Sequence, residues 1–143
     1  PDLDIFASLN FDDVSETATE VMYKKHRIAH KVPQGSDEIP QDQAFPLEYG
    51  LHELTAIDFQ KGCYVGQEVT SRTYRRGKIR KSLYRCAAQD ICSCQDKIMV
   101  GERQVGEICA WQDDEGLALL RDDCLEENLT VNNVKLQLME RQD

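Results

Sequence analysis

One short stretch of the chain combines a thiol, a lysine, an amide and a carboxylate: residues 59–68 read Phe-Gln-Lys-Gly-Cys-Tyr-Val-Gly-Gln-Glu. Lys61 lies two residues before Cys63, and a nearby positive charge lowers the pKa of a thiol and favours the nucleophilic thiolate. Gly62 and Gly66 permit backbone angles that other residues resist, so the chain can turn sharply at the cysteine. The stretch therefore predicts a reactive thiol in a tight loop.

The residues after this loop predict a helix, because 67–74 contain neither Gly nor Pro. Cys63 is expected near its first turn, where free N–H groups and the helix dipole stabilise an anion. Gln67 and Glu68 are expected to orient or stabilise the loop. A thiolate here would attack an electrophilic carbon, exchange disulfides or bind iron or copper, and the residues alone do not choose among these. The structural alternative is that Cys63 is a small buried residue and that the glycines only shape a turn.

The charge of the chain is unevenly distributed around a net value of −9. Residues 61–85 contain eight basic residues and one acidic residue, a net charge of +7, whereas the other 118 residues contain 9 basic and 25 acidic residues, a net charge of −16. The predicted basic patch consists of Arg72, Arg75, Arg76 and Lys78. It would attract a phosphate backbone or a polyglutamate tail, and the alternative is a solvated helix face.

The other candidate metal ligands do not form a recognisable site. Six cysteines occur without a Cys-x-x-Cys pair or a secretory signal, so we expect reduced thiols and no metal site. Cys86 and Cys109 lie among strand-like residues and are predicted to pack in the core. His26 and His30 share a helix face but have no third ligand nearby, and neither is assigned to a site.

The segments before the motif read as a strand, a helix and a long connection. Residues 2–9 alternate apolar and polar residues as a half-buried strand does, and we expect this strand to pair with a preceding portion of the same protein. Asp13 begins a predicted amphipathic helix that ends before Pro33. Residues 34–49 contain two prolines and no period, which predicts an extended connection.

After Gly77 the chain reads as short strands separated by turns, which is typical of a small barrel or sandwich. The predicted strands are 82–88, 97–100, 104–111, 116–121 and 130–138, with turns at 101–102 and 132–133. The fold class is therefore α+β, with residues 1–78 as one part and residues 79–143 as a small antiparallel β-barrel domain.

Composition indicates a globular chain with 41% hydrophobic and 30% charged residues. No apolar run is long enough to cross a bilayer, and the first residues do not resemble a signal peptide. The sequence predicts a cytoplasmic protein without a membrane partner, or one of the mitochondrial matrix if the source is eukaryotic.

The octamer Lys-Gly-Cys-Tyr-Val-Gly-Gln-Glu, followed by Arg72 and then Arg76-Gly77, resembles the signature of the folate-binding YgfZ family. Arg27-Ile28, Ile39-Pro40 and Pro46 occur in the order that the family shows. That family is related to the aminomethyltransferase (T-protein) of the glycine cleavage system. Its members support assembly or maintenance of iron–sulfur proteins, and bacterial members are also linked to tRNA modification.

The resemblance implies that residues 1–78 are the C-terminal part of a T-protein-like folate-binding domain that ends in the motif. It implies Cys63 as the reactive centre, Lys61 as the residue that tunes it, and Gly62, Tyr64, Gly66, Gln67 and Glu68 as its loop. The implied cofactor is tetrahydrofolate, bound by the full-length protein and weakly or not at all by this chain, because the family's N-terminal portion supplies much of the pocket. The implied partners are iron–sulfur proteins or their assembly machinery, and tRNA.

Two alternatives to an accessory role in iron–sulfur chemistry remain at this point. One is a tetrahydrofolate-dependent one-carbon transferase similar to the T-protein, although T-proteins do not carry this cysteine motif. The other is a non-enzymatic docking module, in which the basic segment 72–85 binds tRNA or an acidic protein. Whether the chain is an enzyme is left open.

Overall fold

The computed structural model describes residues 19–62, 65–77, 79–90 and 92–139. Several sequence predictions lie outside these residues: the strand at 2–9, the first turns of the helix from Asp13, and the side chains of Cys63, Tyr64 and Lys78. The described helices are α1 (Glu20–Ala29), α2 (Gly35–Glu38) and α3 (Gln67–Arg76). Among these helices none has the length and apolar character that a membrane span requires.

Helix α1 begins where the hydroxyl of Thr19 accepts a hydrogen bond from the backbone N–H of Met22 at 3.2 Å. A side chain at this position satisfies one of the free N–H groups of the first turn. Ile28 in the last turn is fully buried, and the helix packs against two strands of the sheet described below. Lys31 adopts a positive φ of 53° and turns the chain away from the helix axis.

The connection predicted to be extended instead contains the one-turn helix α2, and a buried ion pair explains the difference. The Arg27 guanidinium donates to both carboxylate oxygens of Glu38, at 3.0 and 2.7 Å, and both side chains are buried. The same carboxylate accepts from the backbone N–H of Gln34 at 2.8 Å. Removing one partner of such a buried pair typically costs about 3–5 kcal/mol, so the pair holds α2 against α1.

The second half of the chain forms seven described strands in one antiparallel sheet. They are β1 (Lys81–Ala87), β2 (Lys97–Val100), β3 (Arg103–Gln112), β4 (Glu115–Arg121), β5 (Thr130–Val131), β6 (Val134–Lys135) and β7 (Gln137–Leu138). The first four lie within two residues of their predicted bounds. The last predicted strand is divided into three, because Asn132 and Asn133 both adopt positive φ and form the predicted turn.

The strand order shows that the sheet curls into a nearly closed barrel. The order is β6-β5-β2-β3-β4-β1-β7, so β6 and β7 lie at opposite edges. Only Leu136 separates these two strands in the sequence. Two edges joined by a single residue must lie side by side, which confirms the predicted small antiparallel barrel.

Two hydrophobic cores lie on the two faces of this sheet. The barrel interior is filled by residues that include Cys86, Ile98, Ile108, Trp111 and Leu120. The outer core packs α1 and the connection onto the sheet, and its buried members are Ile28, Tyr49, Leu83, Cys109, Ala110, Leu117 and Leu119. A β-bulge in β3 places the consecutive residues Cys109 and Ala110 in the outer core, since it inserts one extra residue opposite β4.

Candidate reactive-thiol site

The chain approaches the cysteine motif through a turn held by Asp58. Its Oδ1 accepts hydrogen bonds from the backbone N–H of Gln60 at 2.8 Å and of Lys61 at 3.2 Å. Such an aspartate turn fixes the backbone without a neighbouring element. Lys61 and Gly62 are both exposed, so solvent and partners reach the loop at this point.

On the far side of the motif, Gly66 forms the start of α3. Its φ of 84° lies in the left-handed region, as the sequence predicted for a sharp turn, and its carbonyl accepts from the N–H of Thr70 at 3.0 Å. Gly62, in contrast, does not have a positive φ, so of the two glycines it is Gly66 that provides the left-handed turn. Gln67 donates from Nε2 to the carbonyl oxygen of Lys61 at 3.5 Å, a long contact that connects the two sides of the loop.

Helix α3 begins at Gln67 and ends at Arg76, with Gly77 as its C-cap, which confirms the predicted helix and extends it by about half a turn. Its unpaired N-terminal amides lie four residues after Cys63 in the sequence. The helix is held by Tyr74, whose ring stacks on Phe59 at 4.2 Å and meets His52 edge-on at 5.6 Å. The stacking of Tyr74 on Phe59 therefore holds α3 against the segment that leads into the motif.

The five cysteines other than Cys63 are free thiols, and burial makes four of them poor nucleophiles. Cys86 and Cys109 pack in the two cores, as predicted, and burial raises the pKa of the Cys109 thiol to about 12. Cys92 and Cys124 are also buried, and in each case burial is the main reason that the thiol pKa is raised. Cys94 is exposed, and partial burial of its sulfur also raises its pKa.

Three arginines of the predicted basic patch lie on α3, at the start of the basic segment 72–85. Arg72, Arg75 and Arg76 are exposed, and none of them forms an ion pair with another described residue. Arg85, in contrast, is half-buried in β1 and donates from Nε to the carboxylate of Glu115 at 2.9 Å. The other described basic residues of segment 72–85 are exposed, so Arg85 is the one whose charge is not available to a partner.

A cleft that the sequence analysis did not identify lies between the outer core and the end of the barrel. It has a volume of about 590 Å³, and its polar lining includes His30, Glu48, His52 and Tyr84. Burial, more than any neighbouring charge, raises the pKa of the Glu48 carboxyl, and it raises the pKa of Tyr84 to about 12. These residues come from three separate segments, so no local motif marks them. No three potential ligands among the described residues are placed to hold a metal ion.

Comparison with known proteins decides the family. Residues 66–141 match the model of the CAF17 C-terminal beta-barrel domain, which is more than half of the chain. The chain belongs to this family. The match begins at Gly66 and includes α3 with the whole barrel, so the helix and the barrel are one family unit.

Named relatives of this CAF17-type chain are iron–sulfur cluster assembly factors. The mitochondrial iron–sulfur cluster assembly factor IBA57 of Homo sapiens is 38% identical over 104 residues, which is 68% of this chain and 29% of that protein. The Mus musculus protein of the same name is 32% identical over 82% of this chain and 35% of its own length. A homologue from Dictyostelium discoideum is 44% identical over 48% of this chain and 17% of its own length. The chain thus spans about a third or less of each of these relatives.

Proposed function

We propose that this chain takes part in the assembly or maintenance of iron–sulfur proteins, with Cys63 as its reactive thiol. The observation that carries the proposal is the family membership together with the names of the three relatives described above, which are called iron–sulfur cluster assembly factors. Those names also place the relatives in mitochondria, and we propose the same location for this chain. The cysteine motif is the stretch of the sequence in which thiol chemistry is best supported.

Iron ligation is the thiol chemistry that fits this role best, with the cluster as cargo. A thiolate is a soft ligand suited to iron, and the exposed Lys61 and the amino end of α3 both favour the charged form of a nearby thiol. An iron–sulfur cluster requires about four protein ligands, and one thiolate supplies one of them. The remaining ligands would then come from the protein that delivers or receives the cluster.

A complementation experiment tests the proposal. Cells that lack the relative are supplied with the whole protein, or with its Cys63→Ala or Cys94→Ala variant, and the activity of endogenous iron–sulfur enzymes is measured at equal protein levels. Cys94 is the matched control because it is the exposed thiol outside the motif. We expect Cys63→Ala to abolish rescue and Cys94→Ala to retain it. Full rescue by Cys63→Ala would exclude the thiol from the function.

Tetrahydrofolate is proposed as a ligand of the whole protein, and the support for it is the resemblance of the motif. In the described residues the cleft has a volume typical of small-molecule sites, which is about 300–1,000 Å³. Its Glu48 carboxylate is the type of acceptor that the amino and ring N–H groups of a pteridine require. An open cleft with a mixed lining buries little of a ligand, so we expect weak affinity from this chain alone.

Calorimetric titration with tetrahydrofolate tests this expectation at about 0.15 M salt, the physiological ionic strength. We expect no binding at micromolar ligand concentrations. Micromolar or tighter affinity that is lost in Glu48→Gln would instead place a complete folate site in the cleft.

A further inference from the structure

We propose that the exposed face of α3 is a docking surface for a protein that presents acidic side chains around an apolar centre. This face, called the valine–arginine face below, consists of Val65, Val69, Arg72 and Arg76. This proposal rests on the proposed function and adds the chemical character of the partner, but docking itself does not require the Cys63 thiol. The two ideas can therefore fail separately.

Helical spacing places Val69, Arg72 and Arg76 on one face of α3. They are separated by three and four residues, which aligns them along one side of a helix, and Val65 lies just before the helix. The opposite side contacts the rest of the protein, with Thr70 buried and the 46% exposed Tyr74 stacked on Phe59. With a rise of about 1.5 Å per residue, the face extends about 10 Å from Val69 to Arg76.

The apolar part of the face is unusually exposed. Val65 is fully exposed, and Val69 has 61% of its surface exposed to solvent. Val65 lies within the cysteine motif and Val69 follows it directly, so a protein bound to them would also contact the loop that contains Cys63. Protein interfaces typically combine an apolar centre with a polar rim and are enriched in Arg, which is the arrangement here.

The charge of the face indicates an acidic partner. Arg72 and Arg76, with Arg75 beside them, have no ion-pair partner among the described residues, while the chain outside residues 61–85 has a net charge of −16. Unpaired guanidinium groups at the edge of an apolar contact select carboxylates by charge and by geometry.

A nucleic acid fits this face less well than a protein does. Valines make no hydrogen bonds to phosphates, and the aromatic ring of α3 that could stack on a base, Tyr74, is already stacked on Phe59.

Site-specific cross-linking identifies what occupies the face. A photoreactive p-benzoylphenylalanine replaces Val69 in the full chain, or replaces Met22 on α1 as a control that is 57% exposed, and each protein is irradiated in mitochondrial extract. Cross-linked peptides are sequenced by mass spectrometry. A synthetic peptide with the sequence of the captured segment is then titrated against the full chain by fluorescence anisotropy.

We expect position 69, and not position 22, to capture acidic segments of another protein. The peptide should bind wild type and Cys63→Ala equally. Arg72→Glu/Arg76→Glu should weaken binding by about tenfold or more because it replaces attraction by repulsion, and Val69→Asp should weaken it similarly. The matched control Lys97→Glu/Lys135→Glu changes exposed lysines on β2 and β6 and should leave binding unchanged.

Four results would overturn the proposal. They are capture of RNA, capture of residues 1–18 of the same chain, capture of a second copy, and peptide binding that is indifferent to the α3 arginines.

Discussion

At the scale of single residues, we expect the six cysteines to react in three groups. Competitive labelling with a mild alkylating reagent at neutral pH should modify Cys63 first, because a positive charge such as that of Lys61, two residues away in the sequence, favours a thiolate. Cys94 should follow, and the four buried cysteines should react only after denaturation, since burial raises the pKa of each of their thiols. Mass spectrometry of the labelled peptides gives the order. Earlier modification of Cys92 or Cys94, with Cys63 inert until the protein unfolds, would contradict the reactive-thiol hypothesis.

Protonation of Glu48 in the cleft should make the stability of the folded protein depend on pH. Its pKa is raised above the usual 4.5, mainly because burial disfavours the charged carboxylate, while Lys81 opposes the shift and Asp122 adds to it. The folded state therefore binds more protons than the unfolded state between the two pKa values, and stability falls as pH rises through that range. Glu48→Gln should raise the melting temperature at neutral pH, and the gain should disappear below the usual pKa.

Exposed Glu126 provides the control for this experiment, because Glu126→Gln changes the same charge away from the cleft. Equal effects of the two substitutions, or a gain for Glu48→Gln that persists in acid, would show that burial of Glu48 is not the cause.

At the scale of elements, the start of α3 depends on the backbone conformation of Gly66. Its φ of 84° is strained for any residue with a Cβ, so Gly66→Val should destabilise the first turn by about 1 kcal/mol or more. Hydrogen exchange of the Thr70 amide, which donates to the Gly66 carbonyl, should become about fivefold faster. The matched control Gly62→Val lies in the same loop at an ordinary φ and in open space, and it should leave this exchange unchanged. Similar effects of the two variants would show that the left-handed angle is not what Gly66 provides.

At the scale of the whole molecule, the outer core should make the helical segment and the barrel unfold together. Ile28 is fully buried between α1 and the sheet, and Ile28→Ala should cost about 2–5 kcal/mol. The single tryptophan, Trp111, reports on the barrel interior by fluorescence, and far-UV circular dichroism reports on the helices. In a urea titration both signals should change in one transition. Ile28→Ala should shift the midpoint of that transition to a lower urea concentration. Met22→Ala, on the exposed side of the same helix, should leave the midpoint almost unchanged. Two separate transitions in the wild type would contradict this coupling.

Local sequence patterns were enough to predict most strands, two turns and the cysteine motif of this protein. Alternation of apolar residues predicted the strands from 82 to 121 within two residues, because a strand with one face in a core must repeat every second residue. Gly101 and the pair Asn132-Asn133 predicted their turns, since Gly and Asn tolerate positive φ best. The motif around Cys63 was recognisable from the order of its residues, although its placement lies outside the described residues.

Only the tertiary structure decided which residues meet across long sequence distances. Closure of the barrel depends on β1 pairing with β7, and the pairing of Arg85 within the basic segment 72–85 depends on Glu115 lying beside it. The helix α2 forms in a segment without helical period because Arg27, eleven residues earlier, holds Glu38. The ordinary angle of Gly62 could not be predicted either, since a glycine permits a left-handed conformation without requiring it. In the barrel closure and the two ion pairs the deciding contact is non-local, and a local sequence pattern contains no information about the partner.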